Sequence, residues 1–507
     1  MLAGLLLARA AVPCLILERK DGLSTHPKAM GLTRRTLEIF RSLGLEEAVS
    51  QGSLDLSQRD LVIWSKSLVG EELGRVPLAP QFVPESPCPH LHCPQTWTER
   101  VLFDALSVEK GVAIRFGCEV QAISDDPQGA LRVRLATGET IETEWLIAAD
   151  GASSGIRRQL DIPTDGPGDM GHFLNIQFRA PLGERIPDRR AVMYNAVGDD
   201  FFEAFVAVDG TSRWLMHHFL QPGESPSDFS NDRLAETIRY ATGLADLPVE
   251  ILGVSPWVMS PKVARFWRAG RVLLAGDAAA RLSPAGGLGL NTGLQGVQNL
   301  AWKLAAVIRG GISDSLLDTY DSERRPVAAQ TMGHTNKNAE EIFTVLAAAF
   351  RGDWDAAREI ISHSRRAGSG LGQDLGTTYE RGAFVPDDSA EVKPSDPVND
   401  YIPSARPGRR APHVGEHGGG SLLDRFGSSF VLMAGSRGES WQHPVDIPLL
   451  VSGRDFHAPG FESVYGIGAS GAVLIRPDGF VAARWAESPG STADTVDQVL
   501  SQICNGR

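Results

Sequence analysis

The sequence predicts an α/β fold with a mainly antiparallel sheet inserted into it and a small α/β unit at its C-terminal end. Three observations carry this. Two short strand-like runs, Glu144 to Ala149 and Val272 to Ala275, end in a carboxylate beside a glycine: Asp150-Gly151 and Gly276-Asp277. Between them, four more strand-like runs follow one another through residues 173–219 with short connections. After a proline-rich stretch, Val473 to Trp485 reads as a hairpin with a Pro-Asp-Gly turn, and a helix follows it to Cys504.

Composition narrows the function classes. The 507 residues suffice for two to four domains, and 42% apolar content suits a soluble protein with a core. The formal charge is −13 and no basic run stands out, which argues against nucleic acid as a partner. Five scattered cysteines make no disulfide framework, so a reducing cytoplasm is expected. No stretch of about 20 uncharged apolar residues is present, and no membrane span is expected. Met1 to Lys20 lacks a basic leader and is broken by Arg9, against a signal peptide. Cys88, His90, His92 and Cys93 invite a metal reading. Four ligands within six residues cannot easily wrap one tetrahedral ion and Pro89 stiffens the loop, so no metal is expected.

The chain is organised around residues 270–310. A strand covered on both faces ends in Gly276-Asp277, at the carboxyl edge where α/β sheets bind ligands. The next loop carries Ser283, Pro284, Gly286, Gly287 and Gly289, where the backbone can approach a flat ligand closely. A helix then starts near Leu288 to Asn291, with Leu294, Val297, Leu300, Ala301 and Leu304 on its apolar face. Its N-terminus points free N–H groups and a positive dipole end at whatever fills the loop.

This stretch resembles the second flavin motif of the FAD-dependent aromatic hydroxylases, the single-component flavoprotein monooxygenases. The resemblance implies a Rossmann-like FAD-binding fold, in which Gly276 and Asp277 hold the ribitol chain. Pro284, Gly287, Gly289, Leu290 and Asn291 would lie along the isoalloxazine ring. Pro284, Gly289 and Asn291 are expected nearest the chemistry. Two positions depart from the family: Ala280 stands where His is usual, and Gly296 where Asp is usual.

The other segments follow in order. Val12 to Leu17 reads as a strand ending in Glu18-Arg19, the place of the acidic residue that binds the adenosine ribose. The strand and G-x-G-x-x-G loop that precede such a residue are absent, and a truncated reading frame is the expected reason. Lys28 stands where the family has Arg near the pyrophosphate. A helix is expected over Thr36 to Leu43, capped by Gly44, with Arg34 and Arg35 on a solvated face. Leu61 to Trp64 is a strand. Gln95 lies where the family has a flavin-side Gln, before a helix over Thr98 to Leu106. Asp150, Gly151, Ser154 and Arg157 match the family's D-G-x-x-S-x-x-R motif, which serves FAD and the nicotinamide cofactor.

Strands are expected at Phe173 to Phe178, Ala191 to Ala196, Phe201 to Val208 and Ser212 to Phe219, the last two joined at Asp209-Gly210. In the family such a sheet covers the flavin and forms the substrate pocket. His217 and His218 must face opposite ways, and Tyr194, Trp214 and His217 are the candidate substrate residues. Leu316 to Phe350 is mostly helical, with Ser322 to Pro326 interrupting it. The tail resembles a thioredoxin-like domain without C-x-x-C, so packing or a homodimer contact is its expected use.

The expected domains are FAD-binding at 1–75, 94–165 and 262–345, substrate-binding at 76–93 and 166–261, helices and linker at 346–404, and the tail at 405–507. The resemblance implies an FAD enzyme reduced transiently by NADPH or NADH. It would use O2 through a flavin 4a-hydroperoxide to hydroxylate a phenol or aromatic polyketide. The alternatives are a related flavin epoxidase or ring-opening oxygenase, and a degenerate, non-catalytic binding protein.

Overall fold

The structure is a computed structural model describing all residues except 56–60, 126–129, 366–367, 369, 443, 445, 491–492 and 506–507. The chain opens with helix α1 (Leu2–Arg9) and strand β1 (Cys14–Leu17). The helix lies close against the strand: a Cβ at Gly4 would stand 2.6 Å from Ile16 Cδ1. Helix α2 (Arg34–Ser42) follows, then β2 (Leu61–Ser65) and β3 (Glu72–Pro77). Helix α3 (Gln95–Ser107) leads into β4 (Val112–Arg115), which pairs parallel with β1. An antiparallel meander of Val120–Asp125, Leu131–Leu135 and Thr140–Thr143 precedes β5 (Leu146–Ala148).

The inserted unit contains β6 (Gly171–Arg179), β7 (Met193–Val197), β8 (Phe202–Ala207), β9 (Arg213–Phe219), helix α4 (Asn231–Thr242) and β10 (Glu250–Met259). The β8–β9 turn is held by Asp209, whose carboxylate accepts from the amides of Thr211, Ser212 and Arg213. Helix α4 starts at a Ser230 cap and ends at Gly243 in the left-handed region, φ 74°. One seven-stranded sheet results, in the order β10-β6-β9-β8-β7-β2-β3. This corrects the expected boundary at residue 75. Leu61–Pro77 pairs with β7 and belongs to the inserted sheet. The local sequence shows a strand but not its partner, which arrives about 130 residues later.

The chain returns through β11 (Val272–Leu274), parallel to β5, and helix α5 (Gly289–Ile308). Helix α6 runs unbroken from Asp318 to Ala349. The interruption expected at Pro326 is therefore corrected. Proline removes one N–H and crowds the carbonyl four residues back, but buried Tyr320, Glu323 and Arg324 anchor the turn before it. Helices α7 (Trp354–Ser362) and α8 (Leu371–Leu375) follow. The tail has β12 (Val431–Ala434), β13 (Leu449–Val451), β14 (Ala472–Ile475), β15 (Val481–Trp485) and helix α9 (Ala493–Asn505). Its sheet order is β13-β12-β14-β15, with only β12–β13 parallel. That is the arrangement of a thioredoxin-like sheet.

Arg34 and Arg35 are buried, not solvated as expected. Arg34 pairs with Asp374 of α8, while Arg35 pairs with Glu38 and donates to the carbonyl of Asp478 in the tail. Asp374 and Asp478 lie more than 300 residues downstream, beyond the reach of local periodicity. Among the described residues, no helix is long and apolar enough to cross a membrane.

Candidate active site

The site grows from two parallel strand tips. Ala148 of β5 is the register partner of Leu274 of β11, and the Ala275 amide donates to the Ala148 carbonyl at 2.9 Å. Asp150 and Asp277 therefore leave the same carboxyl edge of adjacent strands. Asp150 Oδ2 accepts from the Ile156 amide at 3.1 Å, and Ser154 caps the short helix Gly155–Gln159 through the Arg157 amide. Solvent reaches the Asp277 carboxylate, yet protein walls it on most sides. That desolvation raises its pKa, opposed by the nearby charges of Arg281 and Lys28. Lys28 is thus brought to the same cleft.

Backbone without side chains lines the opening. A Cβ at Gly151, Gly276, Gly287 or Gly289 would meet open space. Gly276 and Gly287 hold φ of 57° and 68°, a region that favours glycine. At Gly293 a Cβ would come 3.4 Å from Gly276 Cα, so α5 packs tightly behind the strand tip. Asn291 is 2% exposed and fixes the mouth of α5. Its Oδ1 accepts from the Thr33 amide at 2.9 Å, and its Nδ2 donates to the carbonyls of Gly31 (3.0 Å) and Gly287 (2.8 Å). Leu288 caps α5 with no side-chain hydrogen bond, leaving first-turn N–H groups available to a ligand. Such a cradle suits a flat, electron-rich ring, and the residues present fit a flavin. Gln95 links the neighbouring segment, accepting from the Ala29 amide and donating to Glu99 at 2.7 Å. Glu18 directly follows β1, its Oε1 accepting from the Lys20 amide, and Arg19 beside it is exposed.

Over this cradle stands one face of the seven-stranded sheet. Leu215, Val206 and Met193 pack on Met30, while Phe173, Phe219 and Trp257 pack toward Ala285 and Phe343. His217 shares that face with Leu215 and Phe219 by strand alternation. Register places Ser255, Asn175, His217, Ala204, Asn195 and Trp64 in one cross-strand row. In that row, Asn175 Oδ1, His217 Nδ1 and Asn195 Nδ2 are buried and lack partners among the described residues. Burial pushes the His217 pKa down to about 4, so its imidazole is neutral near pH 7. Phe173 and Trp257 stack at 4.6 Å, with His217 edge-on to Trp257 at 6.3 Å.

Tyr194 and Trp214 do not join this face, which corrects their expected role. They are 2% and 1% exposed in the core between the sheet and α4, with Ile238 and Ala241. The Tyr194 hydroxyl accepts from the Ala191 amide at 2.8 Å. His218 also faces that way, paired with buried Glu203. Asn175 and Asn195 were missed in the sequence. Their signal was a polar residue alternating with apolar ones inside a buried strand. A cavity of about 340 Å3 at the β6–β10 edge touches Phe173 and Trp257 but none of the residues expected from sequence.

This geometry is that of a flavoprotein oxidoreductase. Residues 1–335 match the FAD binding domain family, and residues 404–506 match the aromatic-ring hydroxylase C-terminal family. The chain belongs to the FAD-dependent aromatic-ring hydroxylases and is a monooxygenase of that family. It is 34% identical to a putative polyketide hydroxylase of Streptomyces halstedii, covering 98% of this chain and 94% of the relative. It is 33% identical to the tetracenomycin A2 monooxygenase-dioxygenase of Streptomyces glaucescens, covering 99% and 94%. The crystal structure of the flavin-dependent monooxygenase PieE with FAD and substrate superposes with a TM-score of 0.92 at 27% identity, covering 99% of this chain and 96% of that one.

Proposed function

We propose that the protein hydroxylates a phenolic, polycyclic substrate of the aromatic polyketide type, with NAD(P)H and O2 as co-substrates. The observation that carries this reading is the row of unpartnered polar atoms at Asn175, His217 and Asn195. A buried polar group without a partner costs stability, and a substrate edge bearing several oxygens would supply all three partners. The stacked pair Phe173–Trp257 beside the row suits fused rings.

When bound, FAD supplies hydride acceptance from NAD(P)H and activation of O2 for transfer of one oxygen atom to the ring. The chain supplies position and field. Glu18 and Arg19 serve the adenosine end, and Lys28 offers charge to the pyrophosphate. Gly276 and Asp277 hold the ribitol side. Gln95, Asp150, Gly151 and Arg157 close the cleft around the cofactor. Pro284, Gly287, Gly289, Leu290 and Asn291 seat the isoalloxazine, where the helix dipole favours negative charge. Neutral His217 accepts a hydrogen bond from the phenol at Nδ1, and Asn175 and Asn195 fix which ring edge points at the flavin.

The test is direct. The purified protein, supplied with FAD, should be yellow and should oxidise NAD(P)H in the presence of polycyclic phenols. The product should carry one added oxygen atom and an unbroken ring. Protein that holds no flavin after reconstitution, or a product with an opened ring, overturns the reading.

A further inference from the structure

A second polar enclosure lies behind the flavin cradle, on the far side of Asn291. It is a cavity of about 20 Å3 lined by Thr33, Asn291, Gln295, Arg324, Gln373 and Asp374 among others, where α2, α5, α6 and α8 meet. About 10–15 Å3 suffices for one water-sized guest. Arg324 is 1% exposed. Its Nη1 donates to the Tyr379 hydroxyl at 3.3 Å, while Nε and Nη2 have no partner among the described residues.

The charge balance of the surrounding interior is uneven. The buried cations there are Arg34, Arg35, Lys303, Arg324, Arg410 and Arg476, against the carboxylates Glu38, Glu323, Asp374 and Asp478. Arg34 takes Asp374; Arg35 and Arg410 share Glu38; Lys303 and Arg476 share Glu323, and Arg476 also takes Asp478. Both oxygens of Asp374 are already occupied by Arg34 and the amides of Arg34 and Arg35. Arg324 has no carboxylate among the described residues. A guanidinium cannot shed its proton, and an isolated buried charge is far costlier than a buried neutral polar group. A water would satisfy the N–H groups but leave the charge. An anion does both, and the first turn of α5, which lines the same cavity through Asn291 and Thr292, favours negative charge.

We propose that the cavity at Arg324 binds one small monovalent anion of chloride size, joining the helix that seats the flavin to the α8 segment. Gln295 and Gln373 each spend one N–H on a threonine hydroxyl, Thr36 and Thr331, and keep the other for the guest.

Crystals of the flavin-loaded enzyme soaked in sodium bromide test this. An anomalous peak within hydrogen-bond distance of Arg324 Nε or Nη2 is expected, and water alone at that position overturns the proposal. In solution, chloride replacing gluconate at constant ionic strength should raise Tm along a saturable curve. Arg324→Gln should abolish that dependence. Equal Tm in the two salts for the wild-type protein overturns the proposal, and this comparison stands even if the variant does not fold.

Discussion

Glu323 and Arg476, 153 residues apart, meet through two parallel contacts of 2.8 and 2.9 Å with both side chains wholly out of solvent. Arg476 sits at the foot of the Pro-Asp-Gly turn of the tail, and Glu323 on α6. Lys303 of α5 shares the same carboxylate at 2.7 Å. The hairpin turn is therefore the joint between the tail and the cofactor-binding unit. Glu323→Ala leaves two buried cations short of charge and should cost about 3–5 kcal/mol. The expected result is a lowered Tm and faster proteolytic cleavage in the linker that precedes the tail at residue 405. Replacing Glu323, Lys303, Arg476 and Asp478 together by apolar residues should cost less than Glu323→Ala alone, because the penalty arises from orphaned charge and this set leaves none of its members unpaired.

The same joint predicts an acid response. Burial pushes the Glu323 carboxyl up, but Arg476 and Lys303 overrule it and hold it at about 2. Glu38 is likewise held at about 2, burial being outweighed by Arg410 and Arg35. Both folded values lie below the ordinary 4.5. Their stabilisation is thus fully present above about pH 4.5 and is lost as pH falls toward 2. Tm should fall steeply across that window in the wild-type protein and less steeply in Glu323→Gln. A Tm independent of pH there would contradict the buried pairing.

His217 and Tyr194 should separate cleanly in kinetics. On the proposed reading, His217→Ala removes a substrate hydrogen bond worth about 1–3 kcal/mol and should lower kcat/KM by about 10- to 100-fold. Tyr194→Phe should leave kcat/KM unchanged and cost about 1 kcal/mol of stability. With its pKa pushed down to about 4 by burial, His217 stays neutral between about pH 5 and 8. It should contribute no limb to the kcat/KM profile in that range. A limb near pH 6.5 that disappears in His217→Asn would show the imidazole titrating in the open. For stability the sign is that of a depressed base: the neutral form's contribution is present above about pH 6.5 and lost as pH falls toward 4.

These residues also show where the sequence was legible. Asp150 and Asp277 could be read because a carboxylate at a parallel strand tip is a local pattern with one structural meaning. Parity within a strand was legible too, and it separated His217 from His218. Which face α4 leaves open was not legible. That depends on α4 covering the Tyr194–Trp214 side, and helix and strand communicate through packing rather than spacing. Arg34, Arg35 and Arg324 were opaque for a related reason. Their burial is set by α8, the linker and the tail, and only the folded chain brings those segments beside α2 and α6. Pro326 stays inside α6 against its local propensity because the preceding turn is pinned by the buried Tyr320, Glu323 and Arg324.

Asn291 is the residue on which the flavin seat should depend most sharply. Its amide holds three backbone groups at once: the Thr33 N–H and the carbonyls of Gly31 and Gly287. It thereby fixes the glycine loop against the segment that follows Lys28. Asn291→Ala would leave three enclosed backbone groups unpaired, with a penalty of about 1–3 kcal/mol for each that water cannot reach. The loop should relax away from α5 rather than bear that cost. The expected outcome is a rise of at least about tenfold in the FAD dissociation constant, read from flavin fluorescence on dilution, with far-ultraviolet circular dichroism unchanged. Asn291→Asp keeps the acceptor for Thr33 but loses both donors, so it should fall between wild type and alanine only if the acceptor half matters. If Asn291→Ala retains wild-type flavin affinity, the cradle is held by some other contact.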